Sequence, residues 1–153
     1  MIRALIFDVD GTLVDSVDLH AKAWQDALRD YGYEVAFQDI RDQIGKGGDQ
    51  LLPVFLSADE LESKGAELEH HRGEILRQRY LSKIQAFPGV RALFQRLKQD
   101  GIQIVLASSA KADELAVYKK VADSRTLWIP RPHRTTPRSR SRIPTSSRRR
   151  CRG

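Results

Sequence analysis

The sequence predicts an α/β fold with a parallel sheet and a helical insertion after the first strand. Two short apolar runs, residues 4–7 and 102–107, have the composition of buried strands, and helical periodicity separates them. A strand that returns parallel after a helix forms the βαβ unit of α/β proteins. Polar residues follow both runs, at the carboxyl ends of strands, where ligands bind in such sheets.

The first strand covers residues 3–8, and one residue separates its last residue, Asp8, from a second carboxylate, Asp10. Side chains alternate along a strand, so we expect both carboxylates on the same side. Paired carboxylate oxygens suit Mg²⁺, and a carboxylate can attack an electrophile such as phosphorus. The N–H groups of Gly11 and Thr12 are expected to face phosphate oxygens. The alternative is an ordinary turn with two solvated aspartates.

Helical periodicity dominates the segment that follows. Apolar residues recur at helical spacing over residues 17–31, and Gly32 is placed to end that helix. Residues 38–82 mix polar and apolar residues at the same spacing, which predicts several short helices broken near residues 45–48. Another helix is predicted to begin after Ser57, an N-cap residue followed by two acids in the first turn.

The second half of the βαβ unit begins with a turn at residues 87–90. A helix with one apolar face follows and ends at Gly101, and residues 102–107 form the second buried strand. A further helix is expected over residues 112–121. The predicted order is therefore strand, helical insertion, helix, strand and helix.

Ser108 and its neighbours are the candidate phosphate ligands. Ser108 ends an apolar strand and precedes a helix, where a hydroxyl and the first N–H groups of the helix can bind an anion. Ser109 and Lys111 are weaker candidates for contacts with phosphate or product. Taken alone, Ser108 is better explained as an N-cap serine. The paired carboxylates after the first strand favour the phosphate-binding role.

The segment from Asp8 to Ser16, Asp-Val-Asp-Gly-Thr-Leu-Val-Asp-Ser, closely resembles the first motif of the haloacid dehalogenase-like (HAD) phosphohydrolases. The nearest subgroup contains the phosphoglycolate phosphatase and β-phosphoglucomutase-like members. The resemblance implies that Asp8 is the nucleophile and Asp10 the general acid/base. It also implies that the Asp8 carboxylate and the Asp10 backbone carbonyl hold Mg²⁺. Ser108 matches the second motif, an apolar strand ending in Ser or Thr.

The same resemblance implies a Rossmann-like HAD core, incomplete here, with an inserted α-helical cap. Residues 1–15 and 87–123 correspond to the core, and residues 16–86 correspond to the cap. The implied function is Mg²⁺-dependent hydrolysis of a small phosphorylated metabolite through an aspartyl phosphate. A β-phosphoglucomutase-like phosphotransferase is the alternative.

Three cap residues are candidate substrate contacts: Lys46, Gly47 and His20. Lys46 is a compact cation in a glycine-rich loop, at the place where cap loops of related enzymes meet substrate. A flexible loop between helices explains this segment equally well. His20 lies on the first cap helix, where some related mutases have a histidine that positions groups near the acid/base residue. A solvated or structural histidine is the competing explanation.

Residues 124–153 differ from the rest of the chain in charge. They hold 10 Arg and no acid, whereas residues 1–123 hold 16 Lys and Arg against 20 Asp and Glu. HAD enzymes carry a Lys, commonly in Ser-Lys-Pro, and further acids after the second motif, and these are not found here. Severely impaired activity is therefore expected. The two strands should also leave apolar faces uncovered, which predicts poor solubility.

A reading-frame slip would explain this tail. With permitted codons, residues 138–145 can encode Lys-Ser-Lys-Pro-Asp-Pro-Asp when they are read one base out of step. We therefore expect the segment from about Ser124 onward to be a largely disordered frameshift product. The alternative is a non-catalytic remnant whose basic tail binds nucleic acid. If the chain is instead a phosphatase, the only nucleic-acid binding expected is non-specific contact through the basic tail.

Composition excludes several other classes of protein. No stretch has the length and apolarity of a membrane span, and no basic-then-apolar leader is visible at the start, so a cytoplasmic protein without a membrane partner is expected. Cys151 is the single cysteine, which excludes an internal disulfide and a cysteine metal cluster.

Overall fold

The computed structural model describes residues 2–121 and 127–130. Its strands are β1 (Ala4–Asp8), β2 (Val14–Asp15), β3 (Gln85–Ala86), β4 (Gln103–Ser108) and β5 (Leu127–Pro130). Its α-helices are α1 (Val17–Asp30), α2 (Phe37–Arg41), α3 (Gly48–Leu51), α4 (Ala58–Ile75), α5 (Val90–Gln99) and α6 (Ala112–Val121). Shorter helical segments are the 3₁₀ turns Leu52–Val54 and Leu81–Lys83 and the π-helical segment Leu76–Tyr80.

The main sheet is parallel, as the sequence predicted. Over the described ranges it has three strands in the order β1-β4-β5. Ala4 lies opposite Gln103, and Asp8 lies opposite Ala107. This register places the end of β1 beside the end of β4, so the residues that follow the two strands meet at one edge of the sheet. The predicted α/β fold class is confirmed.

The strand β5 lies inside the segment for which we expected disorder. It pairs in parallel with β4, with Pro130 opposite Ser108. The expectation was wrong for these four residues because residues 127–129 are a short apolar run, which the Arg-rich composition of the whole tail concealed. Residues 122–126 and 131–153, with the frameshift interpretation placed on them, lie outside the described part of the chain.

One face of the sheet is covered by a hydrophobic core. Phe94 on α5 packs edge-on against Phe7 on β1, with ring centroids 5.6 Å apart. The other buried residues of this core come from the turn after β1, β2, the segment before β3, α5, β4 and α6: Val9, Leu13, Val14, Leu81, Ile84, Val90, Leu97, Ile104, Leu106, Leu115 and Tyr118. This packing fixes the turn after β1 against α6.

The opposite face is covered unevenly. Ile6 on β1 is 67% exposed, although its neighbours Leu5 and Phe7 pack against the core. Strands of a parallel sheet are normally buried on both faces, so the exposure of Ile6 is unusual for a strand of this kind. Val105 on β4 is 8% exposed, and the expectation of an uncovered face is wrong for that strand.

The helices α1 to α4 pack around a second apolar cluster. Its centre contains Trp24 and Leu28 on α1 and Leu68 on α4, all of which are buried. The predicted start of α4 after Ser57 is confirmed, because Glu60 accepts hydrogen bonds from the Ser57 amide at 2.9 Å and the Ser57 hydroxyl at 2.7 Å. The contact from the Ser57 amide, together with the bond from the Glu60 amide to the Ser57 side chain, forms a capping box.

The two ends of the helical segment meet in a small antiparallel ribbon. Val14 of β2 lies opposite Ala86 of β3, and Asp15 lies opposite Gln85. Sequence analysis did not predict this ribbon, because strands of two residues are too short to show an alternating pattern. The ribbon fixes where the chain leaves and re-enters the sheet region.

Candidate active site

The turn after β1 is held by a close approach of backbone and side chain. Gly11 has φ +71°, and a β-carbon at this position would lie 2.8 Å from Cγ2 of Val17. The Gly11 amide donates to the Val14 carbonyl at 3.0 Å, and the Thr12 amide donates to the Val9 carbonyl at 3.2 Å. Both amides are therefore used inside the turn. This geometry corrects the expectation that they face phosphate oxygens.

Asp8 stands at the end of β1 and is exposed to solvent. Its Oδ2 accepts a hydrogen bond from the Thr12 hydroxyl at 3.2 Å. Val9, the next residue, turns into the core and is 1% exposed. The carboxylate is accessible to a substrate, as a nucleophile must be.

Asp10 lies at the centre of a partly buried polar network. Its Oδ1 accepts a hydrogen bond from the Ser16 hydroxyl at 2.8 Å and lies 3.2 Å from His20 Nε2. Its Oδ2 accepts a longer hydrogen bond from the Ser108 hydroxyl at 3.4 Å. These contacts join residues from the turn after β1, the first cap helix and the end of β4.

Two opposing effects act on the pKa of the Asp10 carboxyl. Burial disfavours the charged form and raises the pKa. Hydrogen bonding and charge from His20, with hydrogen bonding from Ser16 and Tyr118, favour the carboxylate and bring the pKa below its usual value. In this arrangement Asp10 is an ionised group, which is the form of a general base.

His20 contacts the candidate acid/base directly. Besides Asp10, its Nε2 lies 3.1 Å from the hydroxyl of Tyr118 on α6. The sequence left open whether this histidine is solvated, structural or close to the acid/base residue. The geometry places it beside Asp10.

Tyr118 is a site residue that sequence analysis missed. Its side chain is 1% exposed, and burial together with the charges of Asp10 and Glu114 holds its pKa well above the usual value. The hydroxyl therefore keeps its proton at neutral pH. The available signal was weak: Leu115 and Tyr118 share the apolar face of a predicted helix, and a buried tyrosine hydroxyl needs a polar partner.

Ser108 joins β4 to α6 and faces Asp10. While its hydroxyl donates to Asp10, it accepts a hydrogen bond from the Ala110 amide at 3.0 Å. Ser109 is exposed beside it. The Lys111 ammonium reaches Gly73 on the cap helix α4, 3.6 Å from where a β-carbon would lie. The Lys111 amine therefore lies close to α4, and its role as a contact for phosphate or product stays a prediction.

The glycine-rich loop of the cap is separate from this network. Lys46 is exposed and donates a hydrogen bond to the Gln43 side chain. Gly47 is the residue before α3 and is also exposed. Between residues 2 and 121 no hydrogen bond or ion pair joins Lys46 or Gly47 to Asp10. Their role as substrate contacts stays a prediction.

The donor groups near Asp8 are of the kind that Mg²⁺ prefers. The exposed Asp8 carboxylate and the backbone carbonyl of Asp10 supply hard oxygen atoms, and Mg²⁺ commonly keeps several waters beside one or two protein ligands. The described residues include no cluster of three or more His, Cys, Asp or Glu placed to hold a metal ion. The residues fit a sparsely ligated Mg²⁺ and do not fit a metal enclosed by the protein.

Comparison with known proteins decides the family. Residues 2–127 match the family model described as haloacid dehalogenase-like hydrolase. The chain belongs to the haloacid dehalogenase-like hydrolases. The HAD assignment agrees with the first motif and with the order of elements along the chain.

Curated relatives of this HAD chain include several phosphoglycolate phosphatases. That of Rhodobacter capsulatus is 30% identical over 113 residues, which cover 71% of this chain and 51% of the relative. That of Aliivibrio fischeri is 33% identical over 117 residues, which cover 71% of this chain and 51% of the relative. The chain therefore spans about half the length of these relatives.

Solved structures show the same fold. A hydrolase from Pseudomonas syringae superposes with a TM-score of 0.69 at 24% identity, over 84% of this chain and 59% of that one. A haloacid dehalogenase-like family hydrolase from Streptococcus pneumoniae also has a TM-score of 0.69, at 21% identity, over 80% of this chain and 56% of that one.

No described helix is both long and apolar enough to cross a membrane.

Proposed function

We propose that this HAD chain has the chemistry of a phosphatase acting on a small phosphomonoester. The observation that carries the proposal is the meeting of two strand ends. Asp8 is exposed at the end of β1, and Ser108 at the end of β4 hydrogen-bonds to Asp10 at 3.4 Å. The phosphoglycolate phosphatases among the relatives make a small phosphorylated acid the first substrate to test.

The proposed reaction has two steps. The Asp8 carboxylate attacks phosphorus, the bond to the leaving oxygen breaks, and an aspartyl phosphate forms. Asp10 gives a proton to the leaving oxygen, and in the second step it takes a proton from the water that attacks the aspartyl phosphate. Mg²⁺, held by the Asp8 carboxylate and the Asp10 backbone carbonyl, would offset the negative charge of phosphate and carboxylate.

Asp10 must be protonated for the first step and ionised for the second. The described arrangement, with three side chains on its carboxylate, favours the ionised form. The acid form requires that some of these contacts loosen when the substrate arrives. The leaving group of a bound substrate would then accept the proton from Asp10.

The test of the nucleophile is covalent labelling. Full-length protein is mixed with ³²P-labelled acetyl phosphate and Mg²⁺, quenched in acid, and treated with hydroxylamine, which cleaves acyl phosphates. We expect hydroxylamine-sensitive label in the native chain and none in Asp8→Asn. The matched control is Asp18→Asn, an exposed aspartate on α1 that pairs with Arg41. Equal labelling of native protein and Asp8→Asn contradicts the proposal.

We further propose that turnover by this chain is slow, because residues 124–153 supply no acid and no Lys to the site. The proposed cause is a frame slip near the codon for Ser124. The test is to sequence the gene through this region and to compare the chain with its frame-restored counterpart. If Ser-Lys-Pro appears in the neighbouring frame, we expect the restored protein to hydrolyse phosphoglycolate much faster. A sound frame without such a motif contradicts the proposed cause.

A phosphotransferase is the second candidate, and the position of His20 favours it. His20 Nε2 lies 3.2 Å from Asp10, in the place where some related mutases have a histidine. Incubation of the frame-restored protein with β-glucose 1-phosphate and a trace of the bisphosphate separates the two functions. A mutase forms glucose 6-phosphate, whereas a phosphatase releases inorganic phosphate.

A further inference from the structure

Tyr118 brings a polar group into the hydrophobic core at the junction of cap and core. Its side chain is 1% exposed and belongs to the apolar cluster beneath the sheet. A buried hydroxyl without a partner is destabilising, so such groups are normally hydrogen-bonded. One partner is His20 Nε2 at 3.1 Å, on a different helix and 98 positions away along the chain, and the Asp10 carboxylate is a second.

The same nitrogen of His20 contacts both Tyr118 and Asp10. Nε2 lies 3.1 Å from the Tyr118 hydroxyl and 3.2 Å from Oδ1 of Asp10. An ionised carboxylate can only accept hydrogen bonds, so Nε2 must carry a proton. That proton is shared between the carboxylate and the tyrosine oxygen. The contact with Tyr118 therefore constrains both the tautomer and the ring orientation of His20.

Charged groups around Tyr118 help to keep its hydroxyl neutral. Glu114, one helical turn earlier on α6, is 4% exposed and adds negative charge nearby, whereas Arg72 on α4 acts in the opposite sense. The guanidinium of Arg72 lies 4.9 Å from the ring centroid of Trp24 on α1. Elements from the cap and the core thus converge on one hydroxyl group.

We propose that Tyr118 is a positioning residue, which holds the His20 ring and, through its own hydrogen bond, the Asp10 carboxylate in the orientation needed for proton transfer. Tyr118 itself touches neither the phosphorus nor the leaving oxygen. The proposal rests on the proposed function only for the role of Asp10. The His20–Tyr118 contact and its effect on the histidine ring can be measured whether or not the chain turns over substrate.

The first test is ¹⁵N NMR of the histidine side chains in the full-length chain at a fixed neutral pH. The chain has four histidines, and His20→Gln identifies the His20 signals. We expect Tyr118→Phe to shift the His20 Nε2 resonance and to change the balance of its tautomers. The matched control is Tyr80→Phe, which removes a hydroxyl that donates to Asp26 at 2.7 Å within the cap. The proposal is overturned if the His20 resonances of Tyr118→Phe are the same as those of the control Tyr80→Phe.

The second test is kinetic and uses the ratio of two substrates. An alkyl phosphate needs a proton on its leaving oxygen, whereas p-nitrophenyl phosphate has a good leaving group and depends less on general acid catalysis. We expect Tyr118→Phe to lower kcat/KM for the alkyl substrate about tenfold, a fraction of the roughly 10²–10⁴ attributed to general acid–base catalysis. The loss with p-nitrophenyl phosphate should be smaller. An equal loss for both substrates indicates a merely structural role and contradicts the proposal.

A double-mutant cycle protects the test against a folding defect. In a His20→Ala background, Tyr118→Phe should lower kcat/KM by a smaller factor than it does in the native chain, because the contact with His20 is already absent. His20→Gln keeps an N–H donor and should retain more activity than His20→Ala. Additive losses overturn the proposal. If the native chain has no turnover at all, the proposed function fails while the NMR comparison still decides the role of Tyr118.

Discussion

Ser16 shows how a single buried hydroxyl serves the site instead of the helix that it begins. It precedes α1 in the N-cap position, yet its side chain makes no capping hydrogen bond. The hydroxyl donates to Asp10 at 2.8 Å, and the residue is fully buried. A serine at the N-cap normally accepts a hydrogen bond from an amide in the first turn of the helix. The charged acceptor is the stronger partner.

Ser16→Ala should therefore destabilise the fold and disturb Asp10 together. Loss of a hydrogen bond to a charged group costs about 1.5–3 kcal/mol of unfolding free energy, and we expect the lower end because Asp10 is only partly buried. The matched control is Ser63→Ala on α4, whose exposed hydroxyl bonds back to the Asp59 carbonyl at 2.8 Å. That change should be nearly neutral because the helix backbone keeps its own bonds. Urea unfolding measures the free energy of unfolding of both variants. Equal losses in Ser16→Ala and Ser63→Ala would contradict a stabilising hydrogen bond between Ser16 and Asp10.

At the scale of elements, helices and strands with a regular hydrophobic pattern could be predicted from the sequence, whereas tertiary contacts could not. The helix predicted over residues 17–31 is α1, and the strand predicted over residues 102–107 is β4, displaced by one residue. Their hydrophobic periodicity reflects burial, which sequence reports directly. The strand β5 was not predicted, because its short apolar run lies within a tail that is rich in arginine.

The candidate site divides in the same way. Asp8, Asp10 and Ser108 follow strand ends, and topology alone brings strand ends together. The contact of Tyr118 with His20 joins positions 98 residues apart. No spacing rule reports such a contact, because it depends on how the cap helix and α6 cross. The approach of the Lys111 amine to Gly73 on α4 was likewise not predictable, because sequence does not fix the direction of a long side chain.

The capping box of α4 should make stability depend on pH. Hydrogen bonds from the Ser57 side chain and amide hold the pKa of Glu60 below its usual 4.5. A carboxyl whose pKa is depressed by folding stabilises the fold above its unfolded pKa, and the benefit is lost as pH falls through the folded pKa. Glu60→Gln should therefore lower stability more at pH 7 than at about pH 3.

Thermal unfolding at several pH values measures this difference. The matched control is Glu62→Gln, two residues further along α4 and outside the capping box. Its effect should be smaller than that of Glu60→Gln at neutral pH. A Glu60→Gln effect that stays constant between pH 7 and about pH 3 would contradict the contribution of the charged box.

At the scale of the whole molecule, we expect self-association to involve the exposed side of β1. Ile6 is 67% exposed on an edge strand of the described sheet, and unpaired strand edges promote association. We expect Ile6→Thr to reduce self-association, measured by sedimentation velocity at several concentrations. The fold should lose little stability because the side chain is already in water.

Val54→Thr provides the comparison for this change. Val54 is 51% exposed in the 3₁₀ turn after α3, away from the strand edge. Replacing Val54 by threonine should leave the sedimentation profile unchanged, since isolated exposed apolar residues are common on protein surfaces. Equal behaviour of the two variants would show that the edge of β1 is not the site of association.

The antiparallel ribbon of β2 and β3 has a consequence for how such a protein can diversify. Because Asp15 lies opposite Gln85, the core meets the whole helical segment as if it were the loop of one hairpin. Closing a longer loop adds only about 0.6 kcal/mol for each doubling of its length. Helices between the two strands can therefore be lengthened, shortened or exchanged during evolution while the ends of β1 and β4 stay in place. Changes in the insert are thereby separated from the geometry at the ends of these two strands.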